Sequence, residues 1–211
     1  MDIEYKGANC LRISTKRHVI VVDTRLSLDG MEDYKDKSAT VQLSTQRALA
    51  SPFYGNILTL DMPGEYEADG LVVRGVAATR HIDKPSDPKQ ATIFRMTAAG
   101  ISLVVVGHVA PDLTEDQLET IGSADILIIP VGGGGYTLDA HEAVKITRQI
   151  DPKIVIPTHY TDKGINYEVP QSGLDPFLSE LGAPQESLTR LKLKSVPSEE
   201  ALKVCILERS R

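Results

Sequence analysis

Leu103-Val104-Val105-Val106 is apolar at every position. A strand with one wet face alternates apolar and polar residues, so an uninterrupted run marks a strand covered on both faces. Residues 125–129 read as a second buried strand and residues 153–156 as a third. Helical segments separate them. Thr114-Glu115-Asp116-Gln117 is a capping box whose helix ends at Gly122. A second helix is expected from a Thr137 cap to Ile150, where Asp151-Pro152 stops it. Strand, helix, strand, helix, strand is the pattern of a parallel sheet with crossovers.

The first half reads differently. Residues 3–5, 10–14 and 19–22 are short β-rich runs, the last closed by Asp23. Residues 41–43 and 56–60 follow as strands, with helix-compatible residues at 45–50 and a polar loop at 26–37. Residues 65–68 and 71–78 straddle Asp69-Gly70, the strongest hairpin signal in the chain, and residues 91–96 and 101–106 flank Ala99-Gly100. A helix is expected near residues 174–181, and closing strands at 189–194 and 202–208. Antiparallel strands first and βαβ alternation later predict an α/β chain with mixed sheets, folded as one layered domain over residues 1–211.

A chain of 211 residues can bury about 70% of its unfolded surface, so it needs no metal or disulfide merely to fold. Its net charge of −6 disfavours nucleic-acid binding, which depends on phosphate neutralisation, and without Trp it has few stacking platforms. Cys10 and Cys205 lie in apolar runs and read as buried thiols. Met1-Asp2-Ile3-Glu4 is not a secretory leader, and no apolar run approaches the ~20 residues of a membrane span. A cytoplasmic location is expected, without a membrane partner.

Five histidines offer most of the chemistry. His81, His108 and His159 each follow an apolar strand. If those strands share a direction, three neutral imidazoles plus water would suffice for a tetrahedral zinc site. A lone strand-end histidine is more often simply hydrogen-bonded, and His18 and His141 read as surface residues. The Gly132-Gly133-Gly134-Gly135 run is neither a dinucleotide nor a Walker loop. It is either a connector or a pocket-lining loop. Glu65 and Glu67 share a strand face and are either an acid/base pair or two solvated carboxylates. No Gly-x-Ser-x-Gly nucleophile elbow is present.

The order of these pieces resembles the metallo-β-lactamase superfamily, and within it the small Zn-dependent hydrolases related to L-ascorbate-6-phosphate lactonase. The motifs that carry it are Lys6-Gly7-Ala8-Asn9-Cys10-Leu11 with Val19-Ile20-Val21-Val22-Asp23, then Pro63-Gly64-Glu65-Tyr66-Glu67-Ala68-Asp69-Gly70 and Arg80-His81-Ile82-Asp83. Later come Leu113-Thr114-Glu115-Asp116-Gln117-Leu118, Asp125-Ile126-Leu127-Ile128-Ile129-Pro130-Val131-Gly132-Gly133, Thr137-Leu138-Asp139-Ala140 and Pro152-Lys153-Ile154-Val155-Ile156-Pro157-Thr158-His159-Tyr160. The resemblance implies an αββα sandwich of two mixed sheets between helical layers, with metals at one edge.

The family's His-x-His-x-Asp-His signature should follow Val41-Gln42-Leu43-Ser44. Thr45-Gln46-Arg47-Ala48-Leu49-Ala50 stands there instead, and Arg47 would set a cation where a metal belongs. The family's next ligand matches His81, its bridging aspartate falls on His108, and its last histidine matches His159. The resemblance therefore implies a candidate pocket of Arg47, Glu65, His81, Asp83, His108, Gly133, Asp139 and His159, with zinc limited to His81, His108 and His159. The expected function is a ligand- or partner-binding protein that lacks the dinuclear centre, its partner a small molecule or a protein and its state compatible with a homo-oligomer. The alternative is a hydrolase of esters, lactones or phosphodiesters with a mononuclear site. A third reading is a purely structural subunit.

Overall fold

The computed structural model describes residues 1–81, 89–198 and 201–210. Among these, the chain forms two sheets that pack face to face. The first contains β1 (Asp2–Gly7), β2 (Cys10–Ser14), β3 (Val19–Val22), β4 (Val41–Leu43) and β5 (Leu58–Leu60). The second begins with β6 (Gly64–Ala68), β7 (Leu71–Thr79), β8 (Gln90–Ala98) and β9 (Ile101–Val105), all antiparallel. It continues in parallel through β10 (Ile126–Pro130) and β11 (Ile154–Thr158). The closing segment splits. β12 (Gln185–Leu188) and β14 (Lys203–Leu207) extend the second sheet in parallel, whereas β13 (Leu191–Lys192) crosses to pair with β1. The expected strand at 189–194 is thus shorter, because the chain changes sheets there.

The uninterrupted apolar runs are explained by two cores. Leu103, Val105, Ile126, Ile128, Ile154 and Ile156 face the first sheet and meet Leu11, Ile13 and Leu43. Their neighbours Val104, Val106, Leu127, Ile129 and Val155 face the helices and meet Val144, Ile146, Ile150 and Phe177. Each fully buried aliphatic side chain contributes roughly 1.5–3 kcal/mol. α1 (Glu115–Ile121), α2 (Ala140–Ile150) and α3 (Asp175–Leu181) form the helical layer on the second sheet. Over the first sheet the outer layer consists of loop and three short 3-10 turns rather than α-helix. Tyr34, Tyr54 and Leu26 from this layer cover Cys10 and Val21. Both cysteines are buried, and neither forms a disulfide among the described residues.

Thr114 and Gln117 form the expected capping box. At α2 the cap is Asp139 rather than Thr137. Asp139 and Glu142 exchange 2.9 Å bonds, because Asp-x-x-Glu satisfies two free amides reciprocally. Thr137 is buried, its amide bonded to the Gly133 carbonyl.

β3, β4, β9 and β11 end at one edge of the sandwich. The His159 N–H donates to the Ala8 carbonyl (2.9 Å) and the Thr92 N–H to the Thr45 carbonyl (2.8 Å), joining the two sheets there. Among the described residues, no helix is long and apolar enough to cross a membrane.

Candidate functional site

At that edge six strand ends, turns and loops meet. β3 delivers Asp23, the β1–β2 turn Ala8 and Asn9, the chain after β9 His108, and the chain after β11 His159. The 3-10 turn at Leu26–Asp29 adds Asp29, and the glycine-rich loop adds Tyr136. Three of these residues, Ala8 (φ 48°), Asp23 (φ 44°) and His159 (φ 49°), hold left-handed backbone conformations that are costly for a side chain.

The imidazoles of His108 and His159 lie 4.5 Å apart and almost perpendicular. Tyr136 stands edge-on to His108 at 4.8 Å, and Tyr167 leans on His159 at 4.6 Å. Gln171 donates its amide to the Val169 carbonyl, which leaves its oxygen for His159 Nδ1 at 3.2 Å. Nδ1 therefore carries the proton and Nε2 the lone pair. The Nε2 atoms of His108 and His159 are buried with no hydrogen-bond partner among the described residues, and so is Asn9 Nδ2. Asn9 Oδ1 accepts from the Thr158 hydroxyl at 2.9 Å. Asp29 Oδ1 lies 4.0 Å from His159 Nε2, too far for a hydrogen bond.

Burial controls the charges here. It lowers His159 to about 4 against the opposing Gln171 bond. It also holds His108 well below the usual histidine range, helped by His159, Arg80 and His81 nearby. Both rings are neutral at pH 7, so His159 and Asp29 form no ion pair. Burial raises Asp29 to about 6. It raises Asp23 to about 7, although the Thr45 hydroxyl (2.7 Å) and amide (2.8 Å) both donate to that carboxyl. The free volume between these groups is about 10 Å³, enough for roughly one water-sized group.

The other expected pocket residues lie elsewhere. His81 donates its backbone N–H to the His108 carbonyl (3.2 Å), but its ring does not line the cleft. Glu65 sits on β6, three strands out from β9, with a 73% exposed side chain paired to Arg74. The arginine at 47 does not put its charge in the cleft. Its side chain is 71% exposed and turned to Asp61 at 3.3 Å. Gly133 and Asp139 shape the start of α2, and Asp139 is exposed. Asp83 lies outside the described residues. Asp23, Asn9, Asp29 and Arg25 line the cleft without having been expected there. Asp23 had a signal, an acid ending an apolar strand. Asp29 had none, being one of several acids in a polar loop. The glycine run reaches the cleft through Tyr136. It also needs Gly132, where a Cβ would fall on the His159 carbonyl oxygen and the Gln171 amide.

This layout fits what comparison with other proteins finds. The sequence model described as the beta-lactamase superfamily domain matches residues 2–159. The chain belongs to this family. A protein from Thermotoga maritima, assigned as a Zn-dependent hydrolase of the metallo-beta-lactamase superfamily, superposes with a TM-score of 0.71 at 25% identity, covering 98% of this chain and 100% of its own. Igni18, a metallo hydrolase from Ignicoccus hospitalis, gives 0.66 at 14% identity over 100% and 96%. The metallo-beta-lactamase fold protein YhfI from Bacillus subtilis gives 0.60 at 10% over 100% and 97%. The last two show the fold alone. A metal-dependent hydrolase from Carboxydothermus hydrogenoformans is 33% identical over 67 residues, 32% of this chain. That match spans 29% of the relative's length.

In this metallo-β-lactamase-fold chain the loop after β4 presents no metal-binding side chain to the cleft. Thr45 spends its hydroxyl and amide on Asp23, Leu49 lines the cleft with hydrocarbon, and Arg47 faces outward. Among the described residues, no group of three or more His, Cys, Asp and Glu side chains is set to hold a metal ion.

Proposed function

We propose that this member of the metallo-β-lactamase superfamily works without a dinuclear zinc centre and uses its cleft to bind a small polar ligand or a partner's polar tip. The observation that carries this reading is Thr45. At the start of the stretch where the superfamily's histidine-rich signature would stand, its two donors hold the Asp23 carboxyl, and no nitrogen or carboxylate ligand faces the cleft from that wall. Two cations would lack most of their ligands. What the cleft offers instead is His159 Nε2 as an acceptor, Asn9 Nδ2 as a donor and the Nε2 of His108, all buried without a partner among the described residues, with Arg25 alongside. Unsatisfied buried polar atoms cost about 1–3 kcal/mol each, and a ligand group that satisfies them recovers part of it. Metal analysis of protein purified without chelator is the test. Zinc well below one equivalent is expected, and two equivalents per chain would overturn the reading.

The two unpartnered Nε2 atoms favour a second reading, a hydrolase with a mononuclear site. His108 and His159 would hold the metal, with Asp29 beside them. The metal would supply Lewis acidity, and the substrates would be esters, lactones or phosphodiesters. Here His108→Ala and His159→Ala should each abolish both metal binding and hydrolysis of an ester panel. Activity that survives in both variants refutes it. A reducing, cytoplasmic setting accords with two buried thiols that form no disulfide among the described residues. Protein partners and self-association are open to a pull-down and to size-exclusion chromatography.

A further inference from the structure

The opposite end of the sandwich holds a larger space, a groove of about 640 Å³. It runs between the two sheets, bounded by the β2–β3 turn, the Asp69-Gly70 turn of β6–β7, the Ala98-Ala99 turn of β8–β9, and Leu193 and Lys194 beyond β13. Its volume falls within the ordinary range of small-molecule sites, about 300–1,000 Å³. Two contacts fix its width. Arg17 Nη1 pairs with Asp69 Oδ1 at 2.7 Å, and His18 Nε2 meets the Asp69 carbonyl at 3.1 Å. Each crosses from one sheet to the other.

Ala98, Ala99, Leu193 and Met1 give the groove apolar walls. Its charged lining residues are Lys16, Arg17 and Lys194 against one acid, Asp69, and Arg17 already occupies that acid. Among the described residues, neither Lys16 nor Lys194 has an ion pair, and both are exposed. The chain as a whole carries −6. A local excess of cations over an apolar wall, on a molecule of net negative charge, attracts anions to this groove.

We propose that this groove is a second binding site, for a small amphipathic anion. Its carboxylate, sulfonate or phosphate head lies against Lys16 and Lys194, and its hydrocarbon body rests on Ala98, Ala99 and Leu193. The site is independent of the cleft at His108 and His159 and stands whichever reading of that cleft holds.

Fluorescence titration of the full chain with 8-anilinonaphthalene-1-sulfonate tests it. One saturable equivalent is expected, displaced by decanoate and far less by decanol. Lys16→Glu with Lys194→Glu should weaken binding about tenfold or more, since both charges reverse at the rim. Both lysines are exposed, so the fold should survive, which circular dichroism checks. A second measurement needs no variant. Decanoate should shift the amide resonances of Arg17, Asp69 and Ala99 and leave those of His108 and His159 in place. Binding without saturation at one equivalent, equal affinity in the double variant, equal displacement by decanol, or shifts confined to the cleft would each overturn the proposal.

Discussion

Replacing Asp23 by Asn should make the protein more stable at neutral pH, and the gain should depend on pH in a fixed direction. In the folded chain the carboxyl is buried and raised from 3.8 to about 7. Below pH 3.8 it is protonated in both states and contributes nothing. Between pH 3.8 and about 7 the unfolded chain releases the proton while the folded chain keeps it, so stability falls as pH rises. Above about 7 the full penalty remains. At roughly 1.4 kcal/mol per pH unit this amounts to about 4 kcal/mol. Asn removes the titration and keeps the shape. Its oxygen still accepts the Thr45 amide, and the Thr45 hydroxyl rotates to accept from the Asn nitrogen. Urea unfolding from pH 4 to 8, with chelator present, gives the comparison. Asp29 (raised to about 6) and His159 (lowered to about 4) also titrate, but they do so in both proteins and largely cancel in the difference. The variant should match the wild type near pH 4 and exceed it by about 2–4 kcal/mol at pH 8. A difference that stays flat with pH, or a variant less stable at pH 8, would refute the reasoning. It would show that the two Thr45 bonds outweigh burial.

Four further outcomes follow from the same edge and its supports. Gly107 has φ 68°, and a Cβ there would come within 2.5 Å of the Thr45 Cβ, so Gly107→Ala should cost about 2–4 kcal/mol in urea unfolding. Asp139→Ala should cost about 1 kcal/mol through the lost α2 cap, whereas Thr137→Val, which removes a buried hydroxyl with no partner among the described residues, should cost nothing or stabilise. His159 stays neutral in the fold down to about 4, so its contribution to stability is lost as pH falls from 6.5 to about 4, and a His159→Gln variant should show a shallower decline over that window.

The sheet order was readable because each local signal agreed with the tertiary one. Continuous apolar runs at 103–106 and 126–129 serve two cores, and Asp69-Gly70 turns where both flanking strands need it. The α2 cap was misplaced by two residues because Thr137 and Asp139 are both good caps in isolation. Only the depth of Thr137 in the core separates them. The layer over the first sheet carried no helical periodicity, and it folds as 3-10 turns held by side chains such as Tyr54, whose hydroxyl donates to the Tyr34 carbonyl. The site was half legible. His108 and His159 announced themselves by following buried strands. Glu65 and Arg47 could not be placed from the sequence, since whether a strand lies next to β9 or three positions away is a matter of sheet order.

Asp23 explains why the edge keeps its geometry. A carboxyl buried beside Asp29 is costly unless it is hydrogen-bonded. Here Thr45 answers it with two hydrogen bonds from the segment that follows β4, and Gly107 makes room for Thr45 by lacking a Cβ. The carboxyl, its donor and the glycine form one packed unit beneath His108. That unit ties β3 to β4 and holds the strained φ of Asp23 in place. The Thr45 bonds offset part of the cost of burying this acid. Among the described residues, the buried side-chain atoms lining the cleft without partners are His108 Nε2, His159 Nε2 and Asn9 Nδ2. A ligand that engages them would raise stability in proportion to its binding, and Asn9→Ala should weaken that response while leaving the Asp23–Thr45 unit intact.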